Sequence, residues 1–342
     1  MKIARVHQTA AFLTLMFVGT HAAAGQTSNA PPAVARQTLP SRAGDADRFT
    51  LRTEVNLVIV DATVRDQDGS IVDNLAPQDF HLYEDGVEQR ITYFSRDELP
   101  LAVALVLDRS GSMGPVLRRL YHVAYETLSL LKPDDQVALF DFAARAERIQ
   151  DLTTDRRRIA ERIATIHAGG ATVIPDALYE SAAYLAAEAQ NRRHAIILVS
   201  DNENTLQGYS AEGRVIREAL ESEAAIYSIR VERGSHAHMM NVLLPIFQDV
   251  SVEKMTRETG GEVIEAENTN ALRRAMIAAI SRLRQRYSLG YYSPNAGRAG
   301  AFRRIEIRVD AARNDPKRKY SVYARQGYYV RVEHSTSRNT QP

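Results

Sequence analysis

Seven consecutive residues, Asp108-Arg109-Ser110-Gly111-Ser112-Met113-Gly114, carry the strongest chemical suggestion in this chain. They follow a continuous apolar run, Leu101 to Leu107, of the kind that forms a strand covered on both faces by helices. The carboxyl edge of such strands is where open α/β sheets bind ligands. A carboxylate and two hydroxyls at alternate positions can put three oxygens on one side of a turn. Oxygen is the donor that a hard divalent cation takes, Mg²⁺ demanding a near-octahedral set. A motif this short does not suffice alone, but two later positions add to it. Thr172 follows the Gly169-Gly170 turn and precedes a helix, and Asp201 ends a second apolar run, Ala195 to Ser200. A purely structural reading stands beside this one. Ser110 and Ser112 could cap the helix that follows, and Asp176 could be an acid in the first turn of its helix.

Other chemistries fit less well. A serine hydrolase needs Gly-x-Ser-x-Gly, and Ser110 stands where the first Gly before Ser112 should be. The glycine patterns of phosphate-binding and dinucleotide-binding loops do not occur. A phosphotransferring aspartate enzyme resembles the start of the motif, but its second Asp is Ser110 here. His236, His238, Met239 and Met240 could attract a soft metal such as copper, although such a loop cluster is more often incidental.

The elements that must position these residues alternate. After the 101–107 strand, apolar residues at Val116, Leu117, Leu120, Val123, Ala124, Leu128 and Leu131 mark one helix face. The pattern then predicts a strand over 137–142, a helix over about 154–166 and a helix over 177–189 with Pro175 at its first turn. It continues with a strand over 195–200, a helix over 215–220, a strand over 226–231, a helix over 252–259, a short strand through Val263 and a helix over 271–284. Strands alternating with helices imply a doubly wound, mostly parallel, Rossmann-like α/β sheet. The flanks read as strands. Val55, Leu57 and Ile59 lead to an Asp68-Gly69 turn, and Phe80 and Leu82 to an Asp85-Gly86 turn followed by Ile91 and Tyr93. Further strands are expected over 287–292, 302–309 and 320–329. Neither flank buries much alone, so the two together are expected to form one all-β domain of about seven strands into which the α/β domain is inserted.

Asp108, Ser110, Ser112, Thr172 and Asp201 together resemble the metal ion-dependent adhesion site of the von Willebrand factor A family. Thr172 with Asp176-Ala177-Leu178 is similar to that family's Gly-Gly-Thr loop and following helix, with Ala171 inserted. Asp201-Asn202 is similar to its Asp-Gly step, Asn being the next-best residue after Gly at positive φ. The flanks resemble a narrower exported group, the VWFA-related acidobacterial type, through Leu75, Asp79-Phe80, Glu84-Asp85-Gly86, Arg286 to Tyr292, Arg303-Arg304-Ile305 and Gly327-Tyr328-Tyr329. The resemblance implies that Asp108, Ser110, Ser112 and Thr172 contact Mg²⁺ (or Mn²⁺ or Ca²⁺) directly or through water, with Asp201 direct or one layer out. One position stays open for an Asp or Glu of a protein partner. Glu203 could add negative charge behind the site or point to solvent, and Asp176 is the other acid near it. In some relatives a shift of the last helix, here 271–284, couples the metal face to the neighbouring domain.

Basic residues number 43 and acidic residues 42, so no global charge calls for nucleic acid or an anionic membrane. The late basic positions, Arg282, Arg284, Arg286, Arg303, Arg304 and Lys317 to Lys319, read as solvated faces. Lys2 and Arg5 before the apolar run Ala10–Gly19, then Ala22-Ala23-Ala24, read as a secretory signal peptide over 1–25, with an uncleaved membrane anchor as the competing reading. The run is too short to span a bilayer comfortably, and no later segment is long enough. Absence of Cys excludes disulfides and lipoprotein attachment. The expected order is signal peptide 1–25, linker 26–51 rich in Pro, Ala and Ser, β-part 52–98, α/β domain 99–285, β-part 286–333 and tail 334–342. The function expected is an exported, periplasmic or extracellular, non-enzymatic module that binds an acidic protein ligand. An envelope scaffold with a structural or degenerate metal site is the alternative, and a metal-assisted hydrolase using Asp201 or Glu203 as base is a remote one.

Overall fold

The computed structural model describes residues 57–96, 99–232, 251–294, 299–310 and 319–330. The expected signal peptide, the linker, the His236–Met240 cluster, Lys317, Arg318 and the tail lie outside them. The leading segment forms β1 (Leu57–Arg65), β2 (Phe80–Glu84), β3 (Val87–Gln89) and β4 (Tyr93–Ser95). The middle runs β5 (Leu101–Asp108), α1 (Gly114–Leu128), β6 (Gln136–Phe142), β7 (Ala146–Thr153), α2 (Arg156–Ile163) and α3 (Ile174–Glu188). It continues β8 (Arg193–Ser200), α4 (Glu212–Glu221), β9 (Ala224–Val231), α5 (Val252–Glu258), β10 (Val263–Ala266) and α6 (Thr269–Arg284). The last segment gives β11 (Tyr287–Tyr292), β12 (Phe302–Val309), β13 (Ser321–Ala324) and β14 (Gly327–Tyr329).

The middle segment is the expected mostly parallel sheet, ordered β10-β9-β8-β5-β6-β7. All eight residues of β5 are buried, because helices cover both faces. Leu101, Val103, Leu105 and Leu107 share one core with α1, α2 and α6, while Ala102, Ala104 and Val106 share the other with α3, α4 and Val252 and Met255 of α5. The small residues on the second face let α3 lie close to the strand. Strand β7 was not expected from the sequence. It pairs antiparallel with β6 at the sheet edge, and its Ala-Glu-Arg-Ile-Gln-Asp-Leu-Thr reads as polar because an edge strand needs little apolar cover.

The flanking segments interleave. One antiparallel sheet runs β13-β1-β11-β4 and the other β14-β12-β2-β3, so each takes strands from before and after the α/β segment. Residue Leu57 faces Tyr292 and Ala62 faces Tyr287 along the β1–β11 ladder. One core serves both sheets, with Val58, Val60, Phe80, Leu82, Tyr287, Leu289, Tyr291 and Ile305 among its members. A wholly buried carboxylate, Glu84, ties them further. It accepts hydrogen bonds from Tyr291 Oη (2.5 Å), Ser293 Oγ (2.9 Å) and Tyr328 Oη (3.1 Å). Burial, and then that bond, push the Tyr291 hydroxyl far above its ordinary range.

Two details differ from expectation. The Asp85-Gly86 turn, both residues at positive φ, joins β2 to β3, and Tyr93 belongs to β4 in the other sheet. The expected single strand over 320–329 is two, β13 pairing with β1 and β14 with β12. Between them Arg325 bridges to Thr259 of the α/β segment. Among the described residues no helix is long and apolar enough to cross a membrane.

Candidate metal centre

Strands β5 and β8 are parallel neighbours, with Leu107 opposite Val199. Asp108 and Ser200-Asp201 therefore emerge side by side at the same edge. Two donors fix the fully buried Asp108 carboxylate: Ser110 N–H to Oδ1 (2.7 Å) and Ser200 Oγ to Oδ2 (2.7 Å). From there the oxygens form a run. Ser110 Oγ lies 3.2 Å from Ser112 Oγ, and Ser112 Oγ donates to Asp201 Oδ2 at 2.9 Å. Neither serine caps a helix. Ser110 precedes a short 3₁₀ turn without a side-chain capping bond, and the residue preceding α1 is Met113. The hydroxyls face each other and Asp201 instead.

The loop bearing Thr172 is drawn to the same edge by backbone bonds. Gly169 N–H donates to Arg109 O (2.6 Å) and Gly111 N–H to Gly170 O (3.4 Å). Thr172 is 2% exposed. Its N–H donates to Thr205 Oγ1 (2.6 Å), and its carbonyl accepts from the N–H groups of Thr205 (2.9 Å) and Leu206 (3.1 Å). Of the five residues, Asp108, Ser110, Ser112 and Asp201 are joined by direct bonds, while Thr172 is held beside them through its main chain.

The two outlying acids do other work. Asp176, in the first turn of α3, accepts from Tyr209 N–H (3.1 Å) and Ser210 N–H (2.8 Å), so it anchors the loop after Asp201 and not its own helix. Glu203 donates its N–H to Asp201 Oδ1 (3.1 Å), and its carboxylate acts on Arg230. Asn202 adopts φ +61°, and its Oδ1 accepts from Ser228 Oγ at 2.9 Å. That is the positive φ at which Asn is tolerated in place of Gly. The sequence reading missed Ser200, Asn204 and Thr205. Ser200 had a visible signal, since it is the one hydroxyl closing an otherwise apolar run beside Asp201.

Burial, with a smaller contribution from the neighbouring Asp201 carboxylate, pushes Asp108 up to about 6, against its bonds from Ser110 and Ser200. Burial likewise raises Asp141, opposed by Arg109, whose Nε lies 3.2 Å from its Oδ1. No group of three or more His, Cys, Asp and Glu able to hold a metal occurs among the described residues. Any ion at this edge would draw on two carboxylates and several hydroxyls. Such all-oxygen donors suit a hard cation and not a soft one.

The chain carries a von Willebrand factor type A domain, whose family pattern matches residues 103–203. That match supports a protein-interaction module. Structural likenesses are distant. The von Willebrand factor type A protein from Catenulispora acidiphila shares 10% identity over 82% of this chain and 74% of its own, with a TM-score of 0.45. An aerotolerance-related membrane protein from Bacteroides fragilis NCTC 9343 shares 18% over 53% of this chain and 99% of its own, at 0.42. The PilB minor pilin from Streptococcus sanguinis shares 15% over 55% and 62%, at 0.39. No curated protein matches the chain in sequence. The fold stands on the strand pairing of the chain itself.

Proposed function

We propose that this protein is an exported binding module in which Asp108, Ser110, Ser112, Thr172 and Asp201 hold a divalent cation, Mg²⁺ or in its place Mn²⁺ or Ca²⁺, for capturing an Asp or Glu of a partner protein. The observation that carries this reading is the hydrogen-bonded run from Ser110 through Ser112 to Asp201, beside the buried Asp108. Two carboxylates gathered in a poorly hydrated site repel each other, and a divalent cation relieves that repulsion. With no more than two acidic ligands and neutral hydroxyls for the rest, the ion's charge would be at most balanced, and it would supply an electrophilic position for an external carboxylate.

The chain's own part is orientation. Ser200 and the Ser110 N–H hold both oxygens of Asp108, and Thr205 holds the Thr172 main chain. Such supporting bonds fix where ligand atoms point and commonly matter tenfold or more in metal affinity. The module is read as non-catalytic. A hydrolase would need a base aimed at the site, and Glu203, the extra acid two residues on, meets Asp201 through its main-chain N–H.

Calorimetry on the chain starting near residue 26 tests the metal, and pull-down from native envelope with and without chelator tests capture. Uptake of Mg²⁺ or Mn²⁺ that is abolished in Asp108→Ala, with chelator-sensitive capture of an acidic partner, is the expected result. No uptake of Mg²⁺, Mn²⁺ or Ca²⁺ would overturn the reading. Export rests on Lys2, Arg5, Ala10–Gly19 and Ala22–Ala24 and is checked by the N-terminus of the mature protein, expected near residue 25.

A further inference from the structure

The loop that follows Asp201 borders a groove of about 390 Å³ whose walls include Val173, Leu206 and Tyr209, with Arg145, Asp176 and Glu180 around them. We infer that this groove seats an aliphatic or aromatic side chain adjoining the acidic residue of the partner segment; the inference rests on the acid-capture reading above. Leu206 is 44% and Tyr209 58% exposed. Large apolar groups left in water side by side, next to a candidate binding position, are the usual mark of a contact surface.

These side chains are presented by a pinned loop. Asn204 Oδ1 accepts from Ile174 N–H (3.0 Å), and its Nδ2 donates to Leu206 O (2.6 Å). The Asp176 carboxylate takes the N–H groups of Tyr209 and Ser210. A Cβ at Gly208 would collide with Asp176 Oδ2, so the loop packs directly on that carboxylate. The Tyr209 hydroxyl donates to Glu180, and its ring meets Tyr179 edge-on at 6.4 Å. Exposure here is built in, and a surface already ordered loses little freedom when it binds.

Position and charge select the occupant. The Leu206 N–H is bonded to the Thr172 carbonyl, so the groove begins one residue from the site. Its lining holds one cation, Arg145, against the acids Asp176 and Glu180, the former spent on the Tyr209 and Ser210 N–H groups. The exposed Arg145 matches a second acid of the partner, whereas Glu180 disfavours one along the helix. The occupant is therefore a protein segment in which an Asp or Glu is flanked by an aliphatic or aromatic residue.

Fluorescence anisotropy with two labelled probes, Gly-Phe-Asp-Phe-Gly and Gly-Ser-Asp-Ser-Gly, tests this at saturating Mg²⁺. The Phe probe is expected to bind about tenfold more tightly, the scale of burying one large apolar side chain. That preference should disappear in Leu206→Ser/Tyr209→Ser while Mg²⁺ uptake stays unchanged, and should fall to about threefold in the milder Leu206→Ala. Equal affinity for the two probes, absence of binding by both, or a preference that survives the double substitution would overturn the inference. A preference that persists in Asp108→Ala would leave the groove standing and sink the acid-capture reading instead.

Discussion

The two ends of the central sheet treat charge in opposite ways. At the carboxyl edge, Asp108 and Asp201 are brought together with hydroxyl partners. At the amino edge, where the α/β segment meets the β-sheets, charged groups meet opposite charges or backbone carbonyls. Glu262 lies between Arg65 (2.7 Å) and Arg282 (2.9 Å), all three side chains no more than 15% exposed. Arg286 donates to Tyr227 Oη at 2.7 Å. The His194 ring sits between the carbonyls of Ser222 (2.6 Å) and Ala189 (2.9 Å), just past the C-terminal ends of α4 and α3, and Arg193 reaches the carbonyl of Leu283. The Arg193 guanidinium there answers the negative end of α6. One edge is neutralised internally and holds the molecule together. At the other, the carboxylates of Asp108 and Asp201 meet hydroxyl and N–H donors.

Four substitutions test that contrast. Glu262→Ala should have the largest effect, about 3 kcal/mol of lost stability in urea unfolding, because two largely buried guanidinium groups are left facing each other. A loss below about 1 kcal/mol would mean that the amino edge does not depend on pairing. Asp108→Ala should behave in the opposite manner. In chelator its stability stays within about 1 kcal/mol of the parent, yet it loses the roughly 2.7 kcal/mol gained by the parent at a hundredfold excess of Mg²⁺ over Kd; an unchanged thermal shift with Mg²⁺ would refute the site. Ser200→Ala should weaken Mg²⁺ about tenfold in calorimetry by freeing Oδ2 of Asp108, and unaltered affinity would assign Ser200 a purely structural place. Asn202→Gly should change stability least, within about 1 kcal/mol by thermal melts, since relief at φ +61° offsets the lost Ser228 bond.

Much of the fold was legible locally. The apolar 101–107 and 195–199 runs named two strands, which the structure makes central neighbours, and the helix faces over 116–131 and 271–284 followed from spacing. The residues Asp108, Ser110, Ser112, Thr172 and Asp201 could be singled out as candidates because each sits where such an element begins or ends. Less legible was β7, because Glu147, Arg148, Gln150 and Asp151 give an edge strand the look of a loop. Asp176 was legible as a first-turn acid, but its partners lie 33 and 34 residues away, beyond any local pattern.

What the amino-acid order determined by itself is therefore the set of elements and the oxygen-bearing residues at their ends, since strand and helix periods and cap positions act over a few residues. Only the tertiary structure decided which oxygens meet. It placed β5 beside β8, so that Ser112 touches Asp201 across 89 positions; it set Ser200 on Asp108, turned Asp176 toward Tyr209 and Ser210, and wove the two flanks into shared sheets. The physical reason is that hydrogen bonds and buried faces are satisfied by whatever group the packing brings within about 3 Å, and sequence separation does not enter that condition.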